Sequence, residues 1–189
     1  MKQILKTVYE LDEVKEKAIK KNEYINVDYD WYKFILDEWE EKLKSFGFAR
    51  PEIYFNGFGS QGDGACFDCD SYYIDLDILS QKIDLTEEQQ KRLYDLKPEI
   101  EIKIEKNQCA NHYSHYNTRY INIYHFLNDD EDVELINEAE EKIENLRAEL
   151  CKEIYNDLEE QYYYLISDEA IYETLQANEY YFNEDGSIA

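Results

Sequence analysis

Residues 132–165, DVELINEAEEKIENLRAELCKEIYNDLEEQYYYL, decide the architecture. Val133, Ile136, Ala139, Ile143, Leu146, Leu150, Ile154, Leu158, Tyr162 and Leu165 recur every three or four residues, the spacing that gathers apolar side chains on one side of an α-helix. The stretch therefore predicts one long amphipathic helix, roughly 50 Å in length at about 1.5 Å per residue. Its other side is acidic. Glu134, Glu138 and Glu141 stand three or four residues apart, and Glu149, Glu153, Asp157 and Glu160 continue the series. Like charges at that spacing oppose helix formation, so a sequence selected for helix stability alone would intersperse more Lys and Arg.

Working outward, Ser167 can cap a final short helix containing Ala170, Ile171 and Leu175, before a Tyr-rich tail. Upstream, Tyr116–Phe126 has the β-favouring content of a strand, and Glu99–Glu105 alternates charge with isoleucine, the pattern of a half-buried strand pairing with it. Thr86 with Gln89 three residues later makes a capping box for a short helix that Pro98 ends. Ile53–Phe58 and Phe67–Leu76 read as two further strands, joined by a loop with Gly57, Gly59, Gly62 and Gly64 and the turn dipeptide Asp63-Gly64. Residues 2–21 and a segment from Trp31 to Leu43, capped by Asp28 or Asp30 and stopped at Gly47, read as helices. No internal repeat is evident. Helices, then strands, then helices predict an α+β fold: a small antiparallel sheet covered by helices, with a long acidic C-terminal helix. We expect a single domain over 1–189, made of N-terminal helices (1–50), a sheet with an inserted short helix (51–128) and acidic C-terminal helices (129–189).

The charge is unevenly spread. The 189 residues include 20 Lys and Arg against 44 Asp and Glu, a net charge of −24. Residues 129–189 alone carry 20 acidic and 3 basic side chains, whereas residues 1–50 are nearly balanced. Direct nucleic-acid binding, which needs a basic surface, is excluded, and anionic membranes are disfavoured. No apolar run approaches a membrane span or a signal peptide, so we expect a cytoplasmic protein with reduced thiols.

Three constellations could carry chemistry. Cys66 and Cys69, with Cys109 and His112, have the types and spacings of a structural zinc site. Against this, Cys66 and Cys69 begin in a predicted strand and would face opposite ways. Cys66 with His112 or His115 could form a nucleophile and base, and His125 is a further titratable candidate near neutrality. The glycine loop superficially resembles an anion nest but lacks the lysine and following helix of a phosphate-binding loop, which favours a hairpin whose glycines supply positive φ. Against these stands the acidic row itself. Carboxylates about one helical turn, roughly 5–6 Å, apart are comparable in spacing with phosphates along a nucleic-acid strand.

The motif Gly57–Phe67, GFGSQGDGACF, together with His112–Tyr116, HYSHY, and the ending ANEYYFNEDG at 177–186, resembles a family of small acidic proteins encoded by phages and mobile elements. The resemblance extends to anti-CRISPR proteins that block a CRISPR effector nuclease, and covers about residues 45–186. It implies an origin and a context more than a mechanism, and carries no catalytic assignment onto Gln61, Asp63, Cys66 or His115. Those residues are expected to pack together as a structural signature or second contact surface. Charge and resemblance converge on an inhibitor without catalytic residues or a required cofactor. It would mimic nucleic acid against a basic nucleic-acid-binding protein through Glu134, Glu138, Glu141, Glu149, Glu153, Asp157 and Glu160. The alternative is a Cys/His enzyme or zinc module centred on the Gly57–Cys69 loop.

Overall fold

The computed structural model describes residues 8–189 and has an α+β fold. In order, its elements are α1 (Leu11–Lys21), α2 (Lys33–Ser45), β1 (Glu52–Asn56), β2 (Gly64–Asp68), α3 (Leu76–Lys82), α4 (Glu87–Leu96), β3 (Ile100–Lys106), β4 (Arg119–His125), α5 (Asp130–Leu165) and α6 (Asp168–Ala177). The expected long helix is α5, 36 residues in length. Its first turn is capped by Asp129, whose carboxylate accepts from the backbone N–H groups of Glu131 and Asp132 at 3.1 and 3.2 Å. Among the described residues no helix is long and apolar enough to cross a membrane.

Contacts group the chain into two compact units. The larger, Phe34–Asp157, contains both β-hairpins. Helix α2 ends where expected, because Gly47 at φ +102° lets its own N–H and that of Phe48 turn back onto the carbonyls of Lys44 and Leu43. The expected single sheet is instead two two-stranded sheets, β1–β2 and β3–β4. In the first, Tyr54 stands opposite Cys66; in the second, Ile102 stands opposite Ile123 and Ile104 opposite Ile121. Alternation on β3 and β4 sends Ile102, Ile121 and Ile123 into the core. Strand β2 is buried on both faces: Ala65 and Phe67 face one way, with the Phe67 ring 5.0 Å from that of Phe48, and Gly64 and Cys66 face the other.

The predicted strand from Phe67 to Leu76 ends at Asp68. Asp70 turns the chain by accepting from the Tyr72 N–H at 2.9 Å, and Asp75 accepts from the N–H groups of Asp77 and Ile78, which starts α3. Helix α4 carries the expected capping box: the Gln89 N–H donates to Thr86 Oγ1 at 3.2 Å and the Thr86 N–H to Gln89 Oε1 at 2.9 Å. The strand expected over Tyr116–Phe126 begins only at Arg119, after a 3-10 turn at Tyr116–Thr118.

The second unit comprises the described residues up to Lys33 together with Leu158–Ala189. Val14 and Ala18 of α1 pack with Ile171 and Leu175 of α6 and with Phe182. The tail is tied down by paired backbone bonds between Tyr9 and Phe182 at 2.8 and 2.9 Å. Gly186, at φ +86°, lies so close to the backbone of Lys17 and Ala18 that no side chain fits there. The predicted N-terminal helix begins at Leu11; Ile4 and Leu5, expected on its apolar side, lie outside the described residues.

Candidate functional site

Helix α5 places its carboxylates according to what surrounds each. Glu134, Glu141 and Glu149 are exposed and make no ion pair or hydrogen bond through their side chains among the described residues. Glu138 is half-buried, bound to Lys142 at 2.7 Å and to the Gln89 amide at 2.8 Å. Glu153 and Asp157 are exposed but turn toward α2. Lys42 reaches Glu153 at 2.8 Å while its ammonium lies 3.7 Å from the centre of the Trp39 ring, and the Trp39 indole N–H donates to Asp157 at 2.8 Å. Glu160 is exposed and belongs to the other unit. The expected continuous row is thus three free carboxylates, three with partners in the same unit, and Glu160. At about 100° per residue, the direction of the row also turns by nearly half a revolution, about 160°, between Glu141 and Asp157.

Two acids absent from the expected row have a different task. The Glu144 carboxylate accepts from the backbone N–H of Ile121 at 2.8 Å, and that of Glu140 from the N–H of Ile123 at 2.6 Å. These are N–H groups of β4, so α5 covers the strand edge with carboxylates. Glu140 lies four residues from Ile136 and three from Ile143, on the apolar side of the helix, and that position is the sequence signal that distinguishes it.

The glycine loop is a closed structural device. Asp63 turns its carboxylate into the loop and accepts from the N–H groups of Gly59 at 2.9 Å and Ser60 at 2.6 Å. The anion nest is therefore filled by the loop's own side chain. Positive φ falls at Gly57 (+42°) and Gly62 (+99°), not at the Asp63-Gly64 pair. A Cβ on Gly62 would stand 3.0 Å from the Tyr113 ring, one on Gly64 2.8 Å from the His115 ring, and the Ser114 N–H donates to Asn56 at 2.9 Å. Loop and 112–116 segment pack together as expected. Gln61 is exposed at the tip, and the His115 ring lies tilted against that of Tyr116, centres 4.2 Å apart, with its Nδ1 2.7 Å from the Asn117 amide oxygen.

The expected zinc ligands are not gathered. Cys66 is buried, Cys69 is buried and donates to the Ala49 carbonyl at 3.2 Å, and Cys109 and His112 are exposed. Among the described residues no group of three or more His, Cys, Asp or Glu side chains is placed to hold a metal ion. Burial pushes the Cys66 thiol up, which suppresses the thiolate that nucleophilic chemistry needs, and no hydrogen bond joins it to His112 or His115 among the described residues. His125 sits at the end of β4 opposite Ile100.

Residues 31–168 match the family model described as a domain of unknown function, DUF8835. The chain belongs to the DUF8835 family. No curated protein and no solved structure matches the chain. The part matched to DUF8835 takes in the whole of the larger unit, including the glycine loop and the three free carboxylates.

Within that DUF8835 region the polar residues that join the elements are buried arginines. Arg147 of α5 and Arg119 of β4 are 0% and 5% exposed. Arg119 donates to Asp68 of β2 at 3.0 Å and to the Thr118 hydroxyl at 2.8 Å, and Lys106 lies 2.7 Å from the same Asp68 carboxylate. Arg147 donates to Glu144, to the carbonyls of Tyr116 and Arg119, and at 3.5 Å to the Cys151 sulfur. Every carboxylate and guanidinium in this network faces a partner, which makes it a scaffold that positions the outer surfaces.

Proposed function

We propose that this protein is an inhibitor that acts in the bacterial cytosol by occupying a basic nucleic-acid channel of a host defence nuclease, of the CRISPR effector class. The observation that carries the reading is the set of exposed, unpaired carboxylates Glu134, Glu141 and Glu149 on one helix, within a C-terminal third carrying 20 acidic against 3 basic side chains. A helix is a rigid support, so these charges meet a partner without first being ordered. Acidic charge of this density steers a basic partner and makes association fall steeply with ionic strength. The resemblance of the glycine-loop motif to phage and mobile-element proteins supplies the class of target.

The test is a pulldown from a CRISPR-bearing host lysate at low and high salt, followed by binding measurements with the purified effector nuclease. The expected result is recovery of the nuclease at low salt, its loss at high salt, and competition by its DNA or guide RNA. Glu134→Lys/Glu141→Lys/Glu149→Lys should lower affinity at least about a hundredfold, roughly 1 kcal/mol for each reversed charge. Unchanged affinity in the triple variant would overturn the reading.

A further inference from the structure

The β3–β4 hairpin has one face against the core and one open face. By the strand register, Glu101, Lys103 and Glu105 stand opposite Tyr124, Asn122 and Tyr120, and these six share the open face. Tyr120 and Tyr124 are 40% and 42% exposed, and Phe126, next in the alternation, is 92% exposed. Core packing accounts for none of these three rings. Cross-strand pairing places Glu105 between the tyrosines. The Tyr120 hydroxyl donates to one of its oxygens at 2.8 Å, and the Tyr124 hydroxyl donates to the other.

This arrangement suits a cation. The hydroxyls of Tyr124 and Tyr120 hold the Glu105 carboxyl below its usual range, so it remains ionised, and each ring presents an electron-rich face beside it. The chain's own cation already uses the feature: the Lys103 ammonium lies 4.9 Å from the Tyr124 ring centre and 2.9 Å from Glu101. Strand addition is a poor use of the hairpin on the β4 side, because Glu140 and Glu144 already take the N–H groups of Ile121 and Ile123 there. The open face offers side chains rather than a backbone edge.

We propose that this face, with Glu105 gripped between Tyr120 and Tyr124 and with Phe126 beyond them, receives arginine side chains of a basic partner protein. The inference rests on the reading of the chain as a ligand of basic proteins and names a second contact surface for it. Charge complementarity selects the occupant: a chain of net charge −24 attracts cationic segments, and the face itself supplies an ionised carboxylate flanked by rings. Arginine fits better than lysine, since a planar guanidinium can stack on a tyrosine ring while donating to a carboxylate.

The experiment titrates the full chain with an oligo-arginine peptide and, separately, an oligo-lysine peptide of equal length, reading affinity by calorimetry and location by amide chemical shifts. The expected result is preference for oligo-arginine, with shifts at Glu105, Tyr120, Tyr124 and Phe126. Tyr120→Leu/Tyr124→Leu should weaken oligo-arginine about tenfold and oligo-lysine by less than about threefold. Tyr124→Phe, which keeps the ring, should retain most of the preference and guards against a folding defect in the double variant. Oligo-arginine binding unaffected in the Leu variant, with shifts confined to α5, would overturn this inference and leave the acidic-helix reading standing. No binding of either peptide would overturn both. Self-association that is lost in the Leu variant would overturn the inference in favour of a second copy of the chain.

Discussion

Glu144 and Arg147, three residues apart on α5, form a two-armed ion pair at 2.8 and 2.6 Å in which the guanidinium has no exposed surface. Two of its remaining bonds, each 2.8 Å, go to the carbonyls of Tyr116 and Arg119, which brackets the turn leading into β4. Glu144 also takes the Ile121 N–H, so one pair joins the helix to the strand through both donor and acceptor groups of the backbone. Removing the guanidinium takes the counter-charge from the Glu144 carboxylate, which keeps only the Ile121 N–H, and removes that donor from two carbonyls. Arg147→Met should therefore cost about 3–5 kcal/mol despite its apolar gain. Arg147→Lys, which keeps the charge but loses the fork, should cost less. Urea unfolding measures both, and a loss below about 1 kcal/mol for the Met variant would show that the pair contributes little.

The four thiols should separate by accessibility. Cys109 is exposed, whereas Cys66, Cys69 and Cys151 are buried, and burial pushes Cys69 and Cys151 up to about 12. A disulfide-exchange reagent near neutral pH should label one thiol quickly in the native protein and all four in denaturant. Fast labelling of Cys66 would revive the nucleophile reading. The same thiols set an alkaline limit. Their folded pKa lies above the ordinary 9.0, so the stability they contribute is intact below about pH 9 and is lost as pH rises from 9 toward 12. The unfolding midpoint should fall over that window, and Cys151→Ser or Cys69→Ser should flatten part of the fall.

What the sequence makes legible follows from periodicity. Helix α5, the alternating strand β3 and the Thr86–Gln89 box each announce themselves through spacing alone. Helix α3 does not. Phe67, Tyr72, Tyr73 and Ile74 carry β propensity, and the strand they suggest is cut by Asp70 and Asp75, whose side chains offer the backbone a turn and a helix start. The core side of α5 is legible only in part. The apolar stripe predicts Ile143, Leu146 and Leu150, yet Leu146 is only half-buried while its neighbour Arg147 is fully buried, because Glu144 and the carbonyls of Tyr116 and Arg119 satisfy it. Periodicity assigns a direction to a side chain and says nothing of the partner waiting there. The same limit separates Glu141, which is free, from Glu153 and Asp157, which Lys42 and Trp39 engage.

The glycine loop should resist substitution where φ is positive. Gly62→Ala meets both the +99° backbone and the Tyr113 ring at 3.0 Å, and should cost about 1–3 kcal/mol. Asp63→Ala should cost about 1 kcal/mol by freeing the N–H groups of Gly59 and Ser60, which solvent can partly satisfy. Gly59 has open space around it and no positive φ, so Gly59→Ala serves as the control and should be nearly silent. Thermal unfolding ranks the three. A Gly59→Ala cost equal to that of Gly62→Ala would mean that contact with Tyr113 is not what fixes the loop.

Charge reversal along α5 should divide the acids into two groups by stability, independently of any partner. Asp157→Lys removes the acceptor of the Trp39 indole N–H and brings an ammonium toward α2, while Glu153→Lys sets a second cation beside Lys42. Each should cost about 0.5–2 kcal/mol, because the hydrogen bond or ion pair is replaced by an unfavourable contact. Glu141→Lys acts in the opposite direction. Glu138 and Glu144 flank it at three residues on either side, so a lysine there exchanges like-charge repulsion for attraction and should raise stability by a few tenths of a kcal/mol, about 0.2–0.5 for each pair. The wild-type glutamate at 141 is then a residue that the isolated fold does not favour, as expected of a position kept for an external contact. A urea midpoint that falls in Glu141→Lys by as much as in Asp157→Lys would show that Glu141 serves the fold, and would remove it from the interacting surface.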